Sequence, residues 1–471
     1  MESLLAYMLI IAIITLFFSY PSYALKDETN KSNLHFNSII VDGHNDTMMK
    51  VIDKDTWLPK IDIGKDTNNH IDIPKLNKGG LKVPFFSAYT QGYYNNNPRS
   101  ISRTLALINA LYWTEKNNKD KFKIVTSILE IEKAVKDGKI AAVATIEGGY
   151  SINKYNYLEL LRQYYDLGVR VLGFTWNYSN ELGEGASSIY GDVLKTPSPK
   201  GLTKLGKQVV VEMNRLGMVI DVSHMSENTF WDVINITKSP IIASHSGVHS
   251  LKKHPRNLKD KQLKALAKNG GVIGIVLFPK FLTDSKDAYI EDFVNHIDYV
   301  VNLVGIDHVG IGSDFDGAAM PMDLKDASQI YKITDELIKR RYKKEDIEKI
   351  LGKNFLRVLV ENQSIASYNK KNLSFQVIPE FEMGDGILGD TPILRGRISG
   401  DNGLIINEKT SKIIIDGVAY NAKYDKESST LYYKVKEPLK EKFHVATFEV
   451  SDNKGISRRE TRIFHIKDFN F

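Results

Sequence analysis

The stretch LTKLGKQVVVEMNRLGMVIDVSH, residues 202–224, sets the pattern for most of the chain. Residues 202–216 have the amphipathic spacing of a helix packed on a core. Residues 218–222 follow as a short, largely apolar run, as expected of a parallel strand covered on both faces. Outward from this unit, the same alternation holds from about residue 35 to about residue 365. Short runs lie at 38–41, 83–87, 140–146, 169–175, 218–222, 241–243, 271–277 and 308–312, with amphipathic stretches such as 158–167 and 260–268 between them. Eight strand–helix units in this length predict an α/β fold, a (β/α)8 TIM-type barrel. A doubly wound open sheet would give similar runs, but no Gly-rich phosphate loop follows the first of them.

Past residue 360 the helical period fades, and short alternating segments take over at 412–415, 431–435, 443–450 and 461–466. Turn signals such as Asp416-Gly417 separate them. They predict a small C-terminal β-sandwich of roughly 80–90 residues, with the immunoglobulin-like type as the candidate topology. At the other end, residues 3–25 carry no charge and close on Ser22-Tyr23-Ala24. This is the pattern of a secretory signal peptide cleaved after Ala24. Glu2 stands where a basic residue is usual, and the stretch is long enough for an uncleaved anchor. A buried core helix is the third reading. The expected organisation is a signal peptide at 1–24, a barrel at 25–370, and a linker with the sandwich at 371–471. Export to the periplasm, the cell surface or the medium follows from either of the first two readings.

An apolar fraction of 42% and a charged fraction of 25% are ordinary for a globular protein and exclude extended disorder. The formal charge of +6 is small for 471 residues and is dispersed, which argues against a nucleic-acid partner. A mildly basic surface remains compatible with contact to an anionic cell envelope. There is no cysteine, so disulfides, thiolate metal sites and a cysteine nucleophile are excluded.

Polar residues gather at the C-terminal ends of the runs, where barrels carry their active sites. The first run ends in Asp42-Gly43-His44-Asn45-Asp46. His44 and Asp46 are two apart, so on an extended strand an imidazole and a carboxylate point the same way, a pairing suited to zinc. The third run ends in Glu147-Gly148-Gly149, a carboxylate costly to bury unless metal-bound or paired with an arginine. The fifth and sixth runs end in Ser223-His224 and Ser244-His245-Ser246. Two histidines at matched positions of adjacent strands, about 4.8 Å apart, could share one ion. The eighth run ends in Gly312-Ser313-Asp314-Phe315-Asp316-Gly317. Asp314 is a candidate to hold or take the proton of a water, and Asp316-Gly317 to form a structural turn. Arg256 follows the sixth run and is either a solvated loop residue or a clamp for a carboxylate.

From about residue 39 to 360 the chain resembles the membrane dipeptidase (renal dipeptidase) family of zinc metallopeptidases. The resemblance is carried by Val41-Asp42-Gly43-His44-Asn45-Asp46, Ile146-Glu147-Gly148-Gly149, Asp221-Val222-Ser223-His224, Ser244-His245-Ser246, Arg256-Asn257, Gly312-Ser313-Asp314-Phe315-Asp316-Gly317 and Gly352-Lys353-Asn354-Phe355. It implies two zinc ions, one held by His44 and Asp46 and one by His224 and His245, with Glu147 bridging them and a water between. It implies Asp314 as the proton acceptor and Arg256 as the binder of the dipeptide's free carboxylate. One position departs. Phe174-Thr175-Trp176-Asn177 puts Trp176 where better-known members have a histidine that helps hold the substrate, leaving Asn177 as the replacement donor. Tyr150 likewise replaces a histidine.

The expected function is an exported zinc dipeptidase, catalysis falling to Asp314 and Glu147 and substrate contact to Arg256, Trp176 and Asn177. A lactonase or deacetylase on the same barrel is the alternative if Trp176 reshapes the pocket. A non-catalytic surface binding protein is the third reading. The sandwich is expected to serve as spacer, envelope contact or dimer contact, and the family suggests a homodimer.

Overall fold

The protein is described by a computed structural model covering residues 28–92, 98–186, 200–367, 375–400 and 404–467. The expected signal peptide at 1–24 lies outside the described residues. Among the described residues no helix is long and apolar enough to cross a membrane.

All eight runs become strands: β1 (Ile40–Asn45), β2 (Leu81–Tyr89), β4 (Ile140–Glu147), β5 (Val169–Gly173), β6 (Val219–Asp221), β7 (Ile242–Ser246), β8 (Val272–Ile275) and β9 (Val309–Ile311). They pair in parallel in the order β2-β1-β9-β8-β7-β6-β5-β4. The ring closes where β2 meets β4, from Phe85 opposite Val143 to Tyr89 opposite Glu147. Closure excludes the open sheet. A further strand, β3 (Phe122–Ile124), has no signal in the sequence pattern, being three residues long. It pairs with the first half of β4, Phe122 opposite Ile140, and so lies outside the ring.

The alternation of β4 shows how the sequence aims the site. All eight of its residues are buried. Ala141 and Val143 pack inside the barrel with Val41, Val83, Val171, Val219 and Phe355. Ala142, Ala144 and Ile146 pack outward against the helix layer. Continuing with period two, Glu147 falls on the inner side at the C-terminal mouth. The opening stretch behaves as read: helix Lys204–Leu216 is capped by Thr203, whose hydroxyl accepts from Gly206 N at 2.9 Å. It stops at Gly217, which takes a left-handed φ of 75°.

The C-terminal part forms two facing sheets. The first, β10-β12-β16-β15, uses Phe375–Pro379, Ile393–Gly400, Thr430–Lys434 and Lys423–Asp425. The second, β11-β18-β17-β13-β14, uses Asp385–Ile387, Ser457–Ile466, Phe443–Ser451, Lys412–Ile415 and Val418–Asn421. Val377, Leu394 and Leu431 of one sheet share a core with Ile413, Phe448 and Phe464 of the other. The first sheet runs A-B-E-D and the second G-F-C-C′, with β11 added parallel to β18, which is the immunoglobulin-type order.

The sandwich is fused to the barrel's helix layer. Phe443, Val445 and Ile463 join the barrel's own apolar cluster. Gln163, on helix Tyr157–Asp166, is fully buried; its amide donates to Ile414 O and Thr447 Oγ1, each at 3.0 Å, and accepts from Gly417 N at 2.7 Å. Arg459 of β18 pairs with Glu159 at 3.3 Å and Asp166 at 3.2 Å on that helix.

Candidate metal centre

His44, Asp46, Glu147, His224, His245 and Asp314 arrive from the ends of β1, β4, β6, β7 and β9 and meet in the barrel mouth. Glu147 lies at the middle. Its Oε1 is 2.8 Å from His224 Nε2 and 3.5 Å from His245 Nε2. Its Oε2 is 3.4 Å from His44 Nε2. His44 Nε2 stands 3.7 Å from Asp46 Oδ1 and 3.9 Å from Asp314 Oδ1. Two triads, His44–Asp46–Glu147 and Glu147–His224–His245, each bring their donor atoms within 4.8 Å of one another and share Glu147. Asp314 forms a third group with His44 and His245.

The backbone is bent to achieve this. Asp46 lies past the end of β1, and the β1–β2 register shifts between Asp42 and Asn45, so simple alternation is not what brings Asp46 beside His44. His224 and Asp314 take φ values of 65° and 61°, in the left-handed region that side-chain-bearing residues seldom enter. Thr175 Oγ1 at 2.9 Å and Ala186 N at 2.7 Å hold the His224 carbonyl. A methyl group on Gly317 would overlap Asp46 Oδ2 and Asp314 Oδ1, so any side chain there would have to displace these carboxylates.

A second ring of residues fixes the imidazoles. Ser244 Oγ donates to Asp221 Oδ2 at 2.5 Å, so its oxygen accepts from His245 Nδ1 at 2.8 Å. Asn177 Oδ1 accepts from His224 Nδ1 at 2.8 Å. Both histidines therefore turn bare Nε2 lone pairs toward Glu147. Those atoms are 2.9 Å apart with no proton left to share. Around them His44 Nε2, Asp46 Oδ1 and Glu147 Oε2 are buried without a hydrogen-bond partner. Polar atoms left unpartnered in this way are costly unless a cation satisfies their lone pairs. Imidazole nitrogens and carboxylate oxygens in this number suit zinc.

The electrostatics agree. Burial, then Arg256 and His44, holds His224 and His245 well below the ordinary histidine range, in the neutral form a metal ligand needs. Burial and then Asp46 push Glu147 up to about 7. Burial raises Asp314 well above its ordinary value; His44 opposes this, and Asp46 and Glu147 add to it. Burial opposes a charge on His44, but Glu147 and Asp46 outweigh it and raise that pKa well above normal. The pull that favours a proton there favours a metal cation in its place.

The remaining candidates are placed as follows. Arg256 is buried beside the centre, donating to His245 O at 3.0 Å and Ser246 Oγ at 3.3 Å, with Phe281 under its guanidinium. Trp176 is half-buried, stacked on His224 with ring centroids 5.8 Å apart, and flanked by Tyr89 and Tyr178 at 5.6 Å each. Asn177, read from the sequence as a substrate donor, is buried with its oxygen on His224. Asp316 is structural, its carboxylate accepting from Thr47 Oγ1 and His70 N at 2.7 Å each. Asp42, Asp221 and Ser244 support the centre without being expected ligands. The signal is there: Asp221 is a carboxylate inside an apolar run, and Asp42 directly follows one. Asp42, pushed up to about 6 by burial, accepts from Ser313 N and Oγ at 2.7 Å each and so joins β1 to β9.

Comparison with known proteins points the same way. A family model described as membrane dipeptidase, peptidase family M19, matches residues 28–373. An uncharacterized dipeptidase of Schizosaccharomyces pombe is 33% identical over 370 residues, 74% of this chain and 88% of its own length. Dipeptidase aclJ of Aspergillus oryzae is 30% identical over 385 residues, 77% of this chain and 89% of its own. A metallopeptidase from Rhodobacter sphaeroides, solved with a phosphinate mimic of the dipeptide L-Ala-D-Ala, superposes with a TM-score of 0.61 at 27% identity, covering 69% of this chain and 99% of that one.

Proposed function

The chain belongs to the membrane dipeptidase family of metallopeptidases, and from that premise we propose that it is an exported dipeptidase working with two zinc ions bridged by Glu147. Metal-dependent dipeptide hydrolysis is the activity of its family; the ion count, the bridge and export are our reading. The observation that carries the reading is that two ligand triads share Glu147 amid buried donors without partners. His44 and Asp46 would hold one ion, His224 and His245 the other.

Bound there, the ions would supply Lewis acidity, polarising the scissile carbonyl and making a water nucleophilic near neutral pH. The chain's own residues do the rest. Asp314, partly buried beside His44, takes a proton from the attacking water and returns it to the leaving amine as the C–N bond breaks, so one water and one dipeptide give two amino acids. Arg256 pairs with the free carboxylate of the C-terminal residue, which favours dipeptides because a longer peptide has no carboxylate at that distance. Tyr89, Trp176 and Tyr178 form an aromatic wall against which a substrate side chain packs. The L-Ala-D-Ala mimic bound by the Rhodobacter sphaeroides relative supports acceptance of a D-residue at the second position. The uncharged segment at residues 3–25 supports export.

The test is a panel of L,L- and L,D-dipeptides, N-acyl amino acids and lactones, run before and after chelation. Dipeptides should be cleaved, chelation should abolish cleavage, and zinc should restore it. Activity that survives full chelation, or turnover of lactones or N-acyl amino acids alone, would refute the proposal.

A further inference from the structure

We infer that Tyr150 is a positioning residue for the metal ligand His224, acting through the loop that carries Trp176 and Asn177. The inference rests on the two-ion reading and adds to it a residue outside the ligand set. Tyr150 follows Glu147-Gly148-Gly149 and is almost fully buried. Its hydroxyl accepts from Trp176 N at 3.1 Å and donates to Tyr178 O at 2.6 Å. Burial raises the phenol well above its ordinary pKa, so the hydroxyl keeps the proton that it donates. One side chain thereby holds the backbone on both sides of Asn177.

Asn177 makes the next link. Its Oδ1 meets His224 Nδ1 at 2.8 Å, which leaves Nε2 bare and aimed at Glu147 Oε1, 2.8 Å away. Trp176 adds a second contact, its ring stacked over the His224 imidazole at an interplanar angle of 29°. Other hydrogen bonds tie the loop at its ends. Asn180 Nδ2 donates to Phe174 O at 2.6 Å and Thr175 Oγ1 donates to His224 O at 2.9 Å. Tyr150 grips the middle. Without its hydroxyl the segment 176–178 loses these two hydrogen bonds, and the hold on Asn177 at its distance from His224 is loosened. Outer partners of metal-bound imidazoles set both tautomer and ring direction, and their loss costs about 10–100-fold in metal affinity or activity.

The experiment is competitive titration of zinc against a chromophoric chelator on the full chain, with the melting temperature recorded for each variant. Tyr150→Phe should weaken one of the two ions about 10-fold and leave the other unchanged. Asn177→Leu should weaken the same ion about 10–100-fold, while Asn177→Asp, which keeps an acceptor, should retain it. Because both residues act in one chain of contacts, Tyr150→Phe should cost nothing further in the Asn177→Leu background. Wild-type affinity for both ions in Tyr150→Phe, or losses that multiply in the double variant, would overturn the inference and leave the two-ion centre standing. Asn177→Leu tests the same link should Tyr150→Phe fail to fold, and wild-type affinity there would also overturn it. A wild-type chain that takes up no zinc would overturn this inference together with the function proposed above.

Discussion

His224 and His245 bring their Nε2 atoms to within 2.9 Å, while each Nδ1 is committed to an acceptor behind it. Two lone pairs facing each other across a buried carboxylate are unstable without a cation. Deeper in the barrel the inward residues are apolar, among them Val41, Val83, Val143, Val171 and Val219, so the charge is confined to the mouth.

Asp314 is the residue whose loss should separate binding from chemistry. Asp314→Asn keeps the size and removes the proton acceptor. The expected result is a fall in kcat of about 10²–10⁴-fold with KM little changed and both ions retained. Steady-state kinetics with metal analysis on the same sample checks it.

Gly317 is predicted to be intolerant for a local reason. Gly317→Ala puts a methyl group onto Asp46 Oδ2 and Asp314 Oδ1. Activity and zinc content should both fall while circular dichroism and the melting temperature stay near wild type. An active, fully loaded Gly317→Ala variant would mean that these carboxylates are not held as described.

Gln163 should matter to stability and not to turnover. Gln163→Ala leaves Ile414 O, Thr447 Oγ1 and Gly417 N without their partner in a buried junction. The expected cost is about 1–3 kcal/mol. Denaturant unfolding should show it, with kcat/KM unchanged.

The same junction carries a pH dependence. His444 is buried, with Nδ1 2.6 Å from Asp416 Oδ2 and Nε2 2.8 Å from Glu441 O. Burial opposes its charge, but Asp416 outweighs burial and the net pKa is raised. A raised folded-state pKa gives stability that is complete below the unfolded value, about 6.5, and is lost as pH rises through the folded value. His444→Gln should therefore narrow the stability gap between mildly acidic and mildly alkaline pH. Parallel wild-type and variant curves of unfolding midpoint against pH would contradict this.

Much of this was legible in the sequence. Consecutive apolar residues in eight short runs marked the strands, and the polar residues closing five of them marked the site. Barrel geometry then did what spacing alone could not, bringing Glu147 to residues 77 and 98 positions away, His224 and His245. What stayed hidden has physical causes. β3 is too short to show a period. The left-handed φ of His224 and Asp314 depends on tertiary contacts such as Thr175 to His224 O. Asn177 reads as a free donor until the fold shows its oxygen on His224. The docking of Gln163 between domains has no local signature at all.

The central claim is a two-ion centre that hydrolyses dipeptides, and one measurement tests it most directly. Metal analysis of the purified, dialysed chain should be made alongside dipeptide hydrolysis, for wild type and for His224→Ala. The account predicts two zinc ions per wild-type chain, one in His224→Ala, and loss of hydrolysis with the second ion. A single ion in wild type, or unchanged metal content and activity in His224→Ala, would contradict it.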